Sequence, residues 1–254
     1  MRQGLLETVI GGVRSRTSHS QVVNELGRSI VGGDYPEGGL LPGDGELAAR
    51  FRVSRTVLRE AMKTLAAKGM IVARARIGTR VRRRDDWNLF DADVLTWYFD
   101  CGVDERFLYH LSDVRLAFEP HAAALAARHA SEGEIAGMMR LAVAMGDPAH
   151  TAETLAIADL KFHIAVIEAC GNPFMRTIGS LIEAGLAGVF KLSSPAADRA
   201  KIDEVARNHI RIVEAIRLRD EAGAREAMEN VIRLGRDRVR GAIVDTATRP
   251  VEAP

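Results

Sequence analysis

At 254 residues with a formal charge of only +1, the chain is long enough to bury a sizeable core, as one large or two modest domains. Two cysteines, Cys101 and Cys170, exclude a disulfide framework, lack the paired spacing of a zinc ribbon and point to a reducing, cytoplasmic setting; no stretch approaches the ~18 consecutive apolar residues of a membrane span. The near-neutral total hides a split, because residues 1–84 hold 16 Lys/Arg against 7 Asp/Glu while residues 85–254 hold 19 against 27, which suggests a polyanion-binding module joined to an acidic partner domain.

In chain order, Met1 to Ser20 contains Leu5, Leu6, Val9 and Ile10, but Glu7 and Arg14 interrupt it before any long apolar core or cleavage site. Residues 1–18 therefore read as a mobile leader rather than a secretory signal. Val22, Val23, Leu26 and Ile30 keep a helical period over Gln21 to Val31, which Gly32-Gly33 and Tyr35-Pro36 terminate. Leu41-Pro42-Gly43 opens a short second helix through Phe51, and Arg52-Val53 makes a tight turn after it. The third helix has both ends marked: Ser54 offers a side-chain oxygen to the free amides of the first turn, and Gly69 closes the helix through positive φ. Between them Leu58, Ala61, Met62 and Leu65 make one apolar stripe, while Arg55 and Arg59, four residues apart, project together from another face. Two helices joined by a tight turn are a helix-turn-helix, whose second helix places base contacts in its first turn. Met70 to Arg74 and Thr79 to Arg82 are β-prone runs separated by Ala75-Arg76-Ile77-Gly78, a basic hairpin in the position of a wing.

Arg82-Arg83-Arg84-Asp85-Asp86 is a charged junction and the expected domain boundary, followed by an aromatic-rich helix over Trp87 to Phe99 that would pack the two domains. Helical patterns follow near 104–129, 131–146, 151–170, 173–192, 199–219 and 221–245, with Ser131 and Glu134 forming a capping box. Gly171-Asn172-Pro173 and Ser193-Ser194-Pro195 act as separators. The expected fold is mainly α: a winged helix-turn-helix of three helices plus a hairpin over 19–84, then an all-helical antiparallel bundle of six or seven helices over 85–250.

Two groups of residues carry chemistry. Arg55 and Arg59 are suited to guanine O6 and N7 in a major groove, with Thr56, Arg76, Gly78, Thr79 and Arg80 setting register on phosphates or minor-groove edges. In the second domain Asp159 and His163 lie four apart and reach one point in space, and His209 sits at the edge of the inward stripe of Ile210, Val213 and Ile216. That oxygen and imidazole mix suits zinc, manganese, nickel or iron, although a surface Asp/His pair or a hydrogen-bonded core histidine has the same spacing. Arg115 offers a planar fork for a carboxylate, or an ion pair with Glu119 four residues on; Asn172 offers an effector contact, or a cap for the Gly171 turn.

The frame Leu41-Pro42, Glu46-Leu47-Ala48, Phe51 to Ala61, Gly69-Met70-Ile71 and Gly78 to Val81 resembles the winged helix-turn-helix of GntR-family transcription regulators over about 60 residues. Gly45 departs from it where many relatives have arginine, and Arg76 where a wing glycine is frequent. Val114-Arg115, Glu119, Asp159, Phe162-His163, Gly171-Asn172-Pro173 and His209 are similar to the FCD effector domain of the FadR-like branch, many of whose members hold a divalent metal through an aspartate and three histidines. The resemblance implies Asp159, His163 and His209 as metal ligands. The third histidine falls near Val231, which cannot ligate, so either three protein ligands remain or the metal is lost. The wording of Trp87 to Trp97 looks most like the galactonate-responsive, sugar-acid type.

These readings together describe a homodimeric DNA-binding regulator, a repressor more often than not in this family, which binds inverted-repeat half-sites and answers to a small carboxylate. The rivals are a metal-dependent hydrolase of sugar lactones or esters fused to a DNA anchor, and an architectural DNA binder without a ligand switch.

Overall fold

The computed structural model describes residues 17–102, 105–179, 181–183, 186 and 193–248. It divides into two compact units at 103/104. The expected leader falls almost wholly outside the described residues.

The first unit holds α1 (Ser18–Val31), α2 (Asp44–Phe51), α3 (Arg55–Ala67), β1 (Ile71–Arg74), β2 (Gly78–Val81) and α4 (Ala92–Asp100). Helix α1 starts three residues before its apolar period because Thr17 and Ser20 cap each other reciprocally, a capping box with serine in place of the usual Glu/Gln. Arg52 takes a left-handed conformation, φ 54°, at the turn into α3. Ser54 then accepts from the Val57 amide, and Leu58, Ala61 and Leu65 are buried. Gly69 is required at the end of α3 on two counts: its φ is +78°, and a β-carbon there would lie 2.3 Å from the Asp86 carbonyl oxygen. The strands pair antiparallel with Ile71 opposite Val81 and Val72 opposite Arg80, and Leu40 bridges Arg80 from the other side.

The boundary expected at 84/85 lies instead at 103/104. The charged junction is a short 3-10 turn over Arg84–Asp86 whose charges pair locally, Arg82 with Asp86 and Arg83 with Asp85. Helix α4 then packs into the first core. Val94 and Trp97 join Val22, Leu26, Leu47, Leu58 and Leu65 in one buried cluster. The Trp97 indole lies so close to α1 that a β-carbon on Gly27 would sit 2.5 Å from it, and its Nε1 donates to Asn24 Oδ1 at 3.1 Å. Lys68, just past α3, reaches Asp91 at 2.7 Å and Asp93 at 2.8 Å. These two carboxylates outweigh the opposing effect of burial and raise the Lys68 pKa above its ordinary value.

The second unit contains α5 (Glu105–His129), α6 (Glu132–Ala144), α7 (Ala152–Ala169), α8 (Arg199–Arg217) and α9 (Glu221–Thr248), with 3-10 turns over Pro173–Ile178 and Pro195–Ala197. The Ser131/Glu134 capping box forms as expected. The helix expected over 173–192 opens as the 3-10 turn, the described residues 179, 181–183 and 186 that follow are helical, and the rest of 180–192 lies outside the described residues. Ala122, Ala123, Ala126 and Ala127 are buried on α5, and their small side chains allow α9 to run along it. Helix α8 packs on α9 and α6, and α7 on α5 and α6. No helix among the described residues is long and apolar enough to cross a membrane.

Candidate functional site

On the first unit, Arg55, Thr56 and Arg59 are exposed on the first two turns of α3. The nearby acid, Glu60, is paired with Lys63 at 2.8 Å, and that hydrogen bond lowers its pKa. Among the described residues no ion pair engages Arg55 or Arg59. On the hairpin, Arg74, Arg76 and Gly78 are exposed, and Arg76 adopts φ +63°, a backbone region that glycine enters more easily. Arg80 is half-buried and spends a guanidinium nitrogen on the Gly38 carbonyl at 2.6 Å, while the Thr79 carbonyl accepts from the Leu41 amide at 2.9 Å. Those two residues therefore brace the wing, whereas Arg74 and Arg76 on the hairpin and Arg55 and Arg59 on α3 are the outward cations.

In the second unit, Asp159 and His163 come from adjacent turns of α7 and His209 from α8, and all three are buried with ligand atoms within 4.8 Å of one another. The Nε2 of His209 is 3.1 Å from Asp159 Oδ1, and that of His163 is 3.6 Å from Asp159 Oδ2. Each ring is oriented from behind. His209 Nδ1 lies 2.7 Å from the Val205 carbonyl, which can only accept, so Nδ1 carries the proton. His163 Nδ1 sits against Glu119 Oε2, another acceptor. Phe162 meets the His209 ring edge to face, with centroids 4.9 Å apart. In the neutral rings both Nε2 lone pairs are therefore aimed at a carboxylate, and both Nε2 atoms are buried without a hydrogen-bond partner. Three acceptors converge with no donor between them, an arrangement that a bound cation satisfies. The residues present fit a divalent metal by donor type and by the carbonyl and carboxylate behind the rings.

Around this point the charges alternate. Arg115 on α5 is buried, bonds Glu119 through Nε at 2.5 Å and also lines the cavity. The ion pair with Glu119 weighed from the sequence forms, and the same side chain also lines the cavity. Burial would raise the Glu119 pKa, but Arg115 and His163 outweigh it and hold the carboxyl down to about 2. Burial works against the Asp159 carboxylate as well, and only protonation of His163 and His209, which turns the Nε2 atoms facing it into donors, would hold its pKa well below the ordinary range. Helix α9 contributes Val231 and Arg238 to the lining. Arg238 Nε is buried without a partner, and burial lowers the Arg238 pKa. The space between these side chains is about 20 Å³, enough for an ion or one water.

Asn172 is not brought to this cavity: its side chain accepts from the Phe174 amide at 3.0 Å and caps the 3-10 turn. Sequence reasoning missed two participants. Glu119 appeared as an ion-pair partner of Arg115 and as part of the FCD-like pattern, with no role assigned to it at the metal ligands, and its contact with His163 has no spacing signal. Arg238 was not considered, although its position seven residues after Val231 continues an inward helical stripe.

Comparison with known proteins gives two family matches. Residues 18–81 match the family described as bacterial regulatory proteins, gntR family, and residues 110–234 match the FCD domain. The galactonate operon transcriptional repressor of Escherichia coli (strain K12) is 31% identical over 212 residues, covering 84% of this chain and 92% of the relative. The HTH-type transcriptional repressor NanR of Klebsiella aerogenes is 30% identical over 215 residues, covering 82% and 80%. Among solved structures, Lar, which controls the Listeria monocytogenes agr system, superposes with a TM-score of 0.61 at 19% identity over 90% of this chain and 99% of that one, a likeness of fold.

Proposed function

The chain belongs to the GntR family of bacterial regulatory proteins, as a DNA-binding transcription regulator and not the hydrolase weighed from its sequence, and from that premise we propose that it is a metal-loaded repressor released by a sugar acid. The first unit reads DNA, and in a homodimer each protomer takes one half-site of an inverted repeat. Arg55 and Arg59 donate to guanines, Thr56, Arg76 and the Gly78-Thr79 turn meet the backbone, and Arg80 holds the wing in place.

The second unit takes the effector. The observation that carries this reading is the trio of buried acceptors, Asp159, His163 and His209, facing one another with two unsatisfied Nε2 atoms. Bound there, a divalent ion supplies Lewis-acid coordination for a ligand oxygen. Asp159, Glu119 and Glu204 stand against Arg115 and Arg238, a net charge of −1, so an added dication leaves a single positive excess that a monoanionic ligand neutralises. Arg115 and Arg238, which both line the cavity, orient its carboxylate. The galactonate-operon relative favours a sugar acid as that ligand. Such a molecule exceeds a space of about 20 Å³, so binding requires lining side chains, Arg238 and Leu186 among them, to move. A ligand favouring that opened state over the DNA-bound one weakens operator binding, typically by about 5- to 150-fold.

Elemental analysis and thermal shift test this together. Native protein is expected to hold close to one equivalent of a divalent metal that His163→Ala loses. Galactonate at about 100-fold over its Kd is expected to stabilise by about 2.7 kcal/mol, an effect that chelator removes. Absence of any ion from both proteins overturns the metal site. Lack of response to every sugar acid in the metal-loaded protein overturns the effector.

A further inference from the structure

The outer face of the wing carries a cluster that DNA reading by Arg55 and Arg59 does not use. Leu40, Val72 and Ile77 are large apolar side chains left 50%, 38% and 51% exposed. The pairing puts Val72 directly across from Arg80 and Leu40 across from Arg80 on its other edge, so Leu40 and Val72 share one face. Ile71 and Val81, on the opposite face, are buried and hold the hairpin to the core. Gly78 leaves a notch beside Leu40: a β-carbon there would meet Leu40 Cδ2 at 3.6 Å. Ile77 stands at the turn, its amide bonded to the Arg74 carbonyl at 3.2 Å, directly after Arg76 in its left-handed conformation.

The charge around the cluster selects its occupant. Of the six arginines in residues 70–84, Arg82, Arg83 and Arg84 pair with Asp86, Asp85 and Glu37, and Arg80 bonds the Gly38 carbonyl, which leaves Arg74 and Arg76 as the outward cations beside the apolar side chains. An ordinary protein partner burying Ile77 would also desolvate the outward guanidiniums of Arg74 and Arg76. A DNA minor groove offers both chemistries at once, with phosphates along its walls and apolar sugar edges and base stacks within.

We propose that the wing tip is a wedge, in which Ile77 enters the minor groove, partly unstacks a base step and bends the duplex while Arg74 and Arg76 hold the flanking phosphates. Leu40 and Val72 lie along the sugars behind it. A wedge of this kind works best at a flexible pyrimidine–purine step and adds sequence preference at a position that no hydrogen bond reads. The inference rests on the proposal that the first unit reads DNA, and its test separates the two.

Full-length protein is used to enrich duplexes from a random pool, and an enriched duplex is labelled at both ends for energy transfer. Wild-type protein is expected to shorten the end-to-end distance. Ile77→Ala is expected to bind the same duplex with less than about a tenfold loss but to leave it straighter. Ile77→Phe is expected to keep the bend, and Arg76→Gly to keep the bend while lowering the salt dependence of binding. Equal bending by wild type and Ile77→Ala, or no bending by wild type, overturns the wedge while leaving the DNA reader intact. Failure of wild type to enrich any sequence overturns both. Thermal melting of Ile77→Ala, whose side chain is half exposed, guards against a folding artefact.

Discussion

The two sites solve opposite electrostatic problems. On α3 and the hairpin, Arg55, Arg59, Arg74 and Arg76 stay in water until a polyanion arrives, so the fold need not compensate their charge. In the second unit Arg115, Glu119, Asp159, His163 and His209 are all buried, and the Arg115 and Glu119 charges answer each other directly. If these arginines meet DNA as proposed, the exposed set contributes nearly all of its value to binding. The buried set is woven into stability, and only the acceptors left unanswered, the two histidine Nε2 atoms, mark a place for something else.

That contrast is sharpest at Glu119, where the largest loss of stability is expected. Glu119→Ala strands the buried Arg115 guanidinium and removes the acceptor behind His163, and should cost about 3–5 kcal/mol in urea unfolding. The same group predicts an acid limit. Its pKa is lowered in the folded protein from 4.5 to about 2, so its stabilisation is complete above pH 4.5 and is lost as pH falls toward 2. Glu119→Gln should flatten that part of the acid-unfolding curve. An unchanged curve would show that the charge at 119 is not what Arg115 and His163 require.

Gly69→Ala comes next and tests whether the first unit is as tolerant inside as at its surface. An alanine there must hold φ +78° and push its β-carbon against a backbone oxygen 2.3 Å away. About 2–4 kcal/mol should be lost, read as a lower melting temperature of the whole first unit, α4 included. A neutral result would mean that the turn between α3 and β1 can rearrange freely.

Legibility followed the same divide. The DNA-facing half could be read from short range, because its markers are local: Ser54 caps α3, Gly69 ends it, and Arg55 and Arg59 follow in the first two turns. The boundary could not, because a run of arginines and aspartates looks like a linker, and only the burial of Val94 and Trp97 against α1 shows that α4 belongs to the first core. In the second unit the i,i+4 pair Asp159/His163 was legible as a clip, but that His209 closes it is a matter of helix packing. Glu119 and Arg238 come from helices far apart in sequence, and no spacing rule brings them to one point. Asn172 followed the local rule instead, capping the turn after Gly171.

The smallest effect on stability is expected at the outward arginines, and its smallness is what the comparison turns on. Arg55→Ala and Arg59→Ala remove side chains that are exposed and in no ion pair among the described residues, so each should shift the unfolding free energy by less than about 0.5 kcal/mol. Competition between an enriched and a random duplex should nonetheless show a loss of discrimination of about 1–3 kcal/mol for each arginine that reads a guanine. If it meets only phosphate, affinity should fall equally for both duplexes and the salt slope should shrink by about one. A stability loss matching that of a buried charge would mean that these arginines also support the fold, and the division between a surface kept for binding and a core that balances its own charges would not hold at α3.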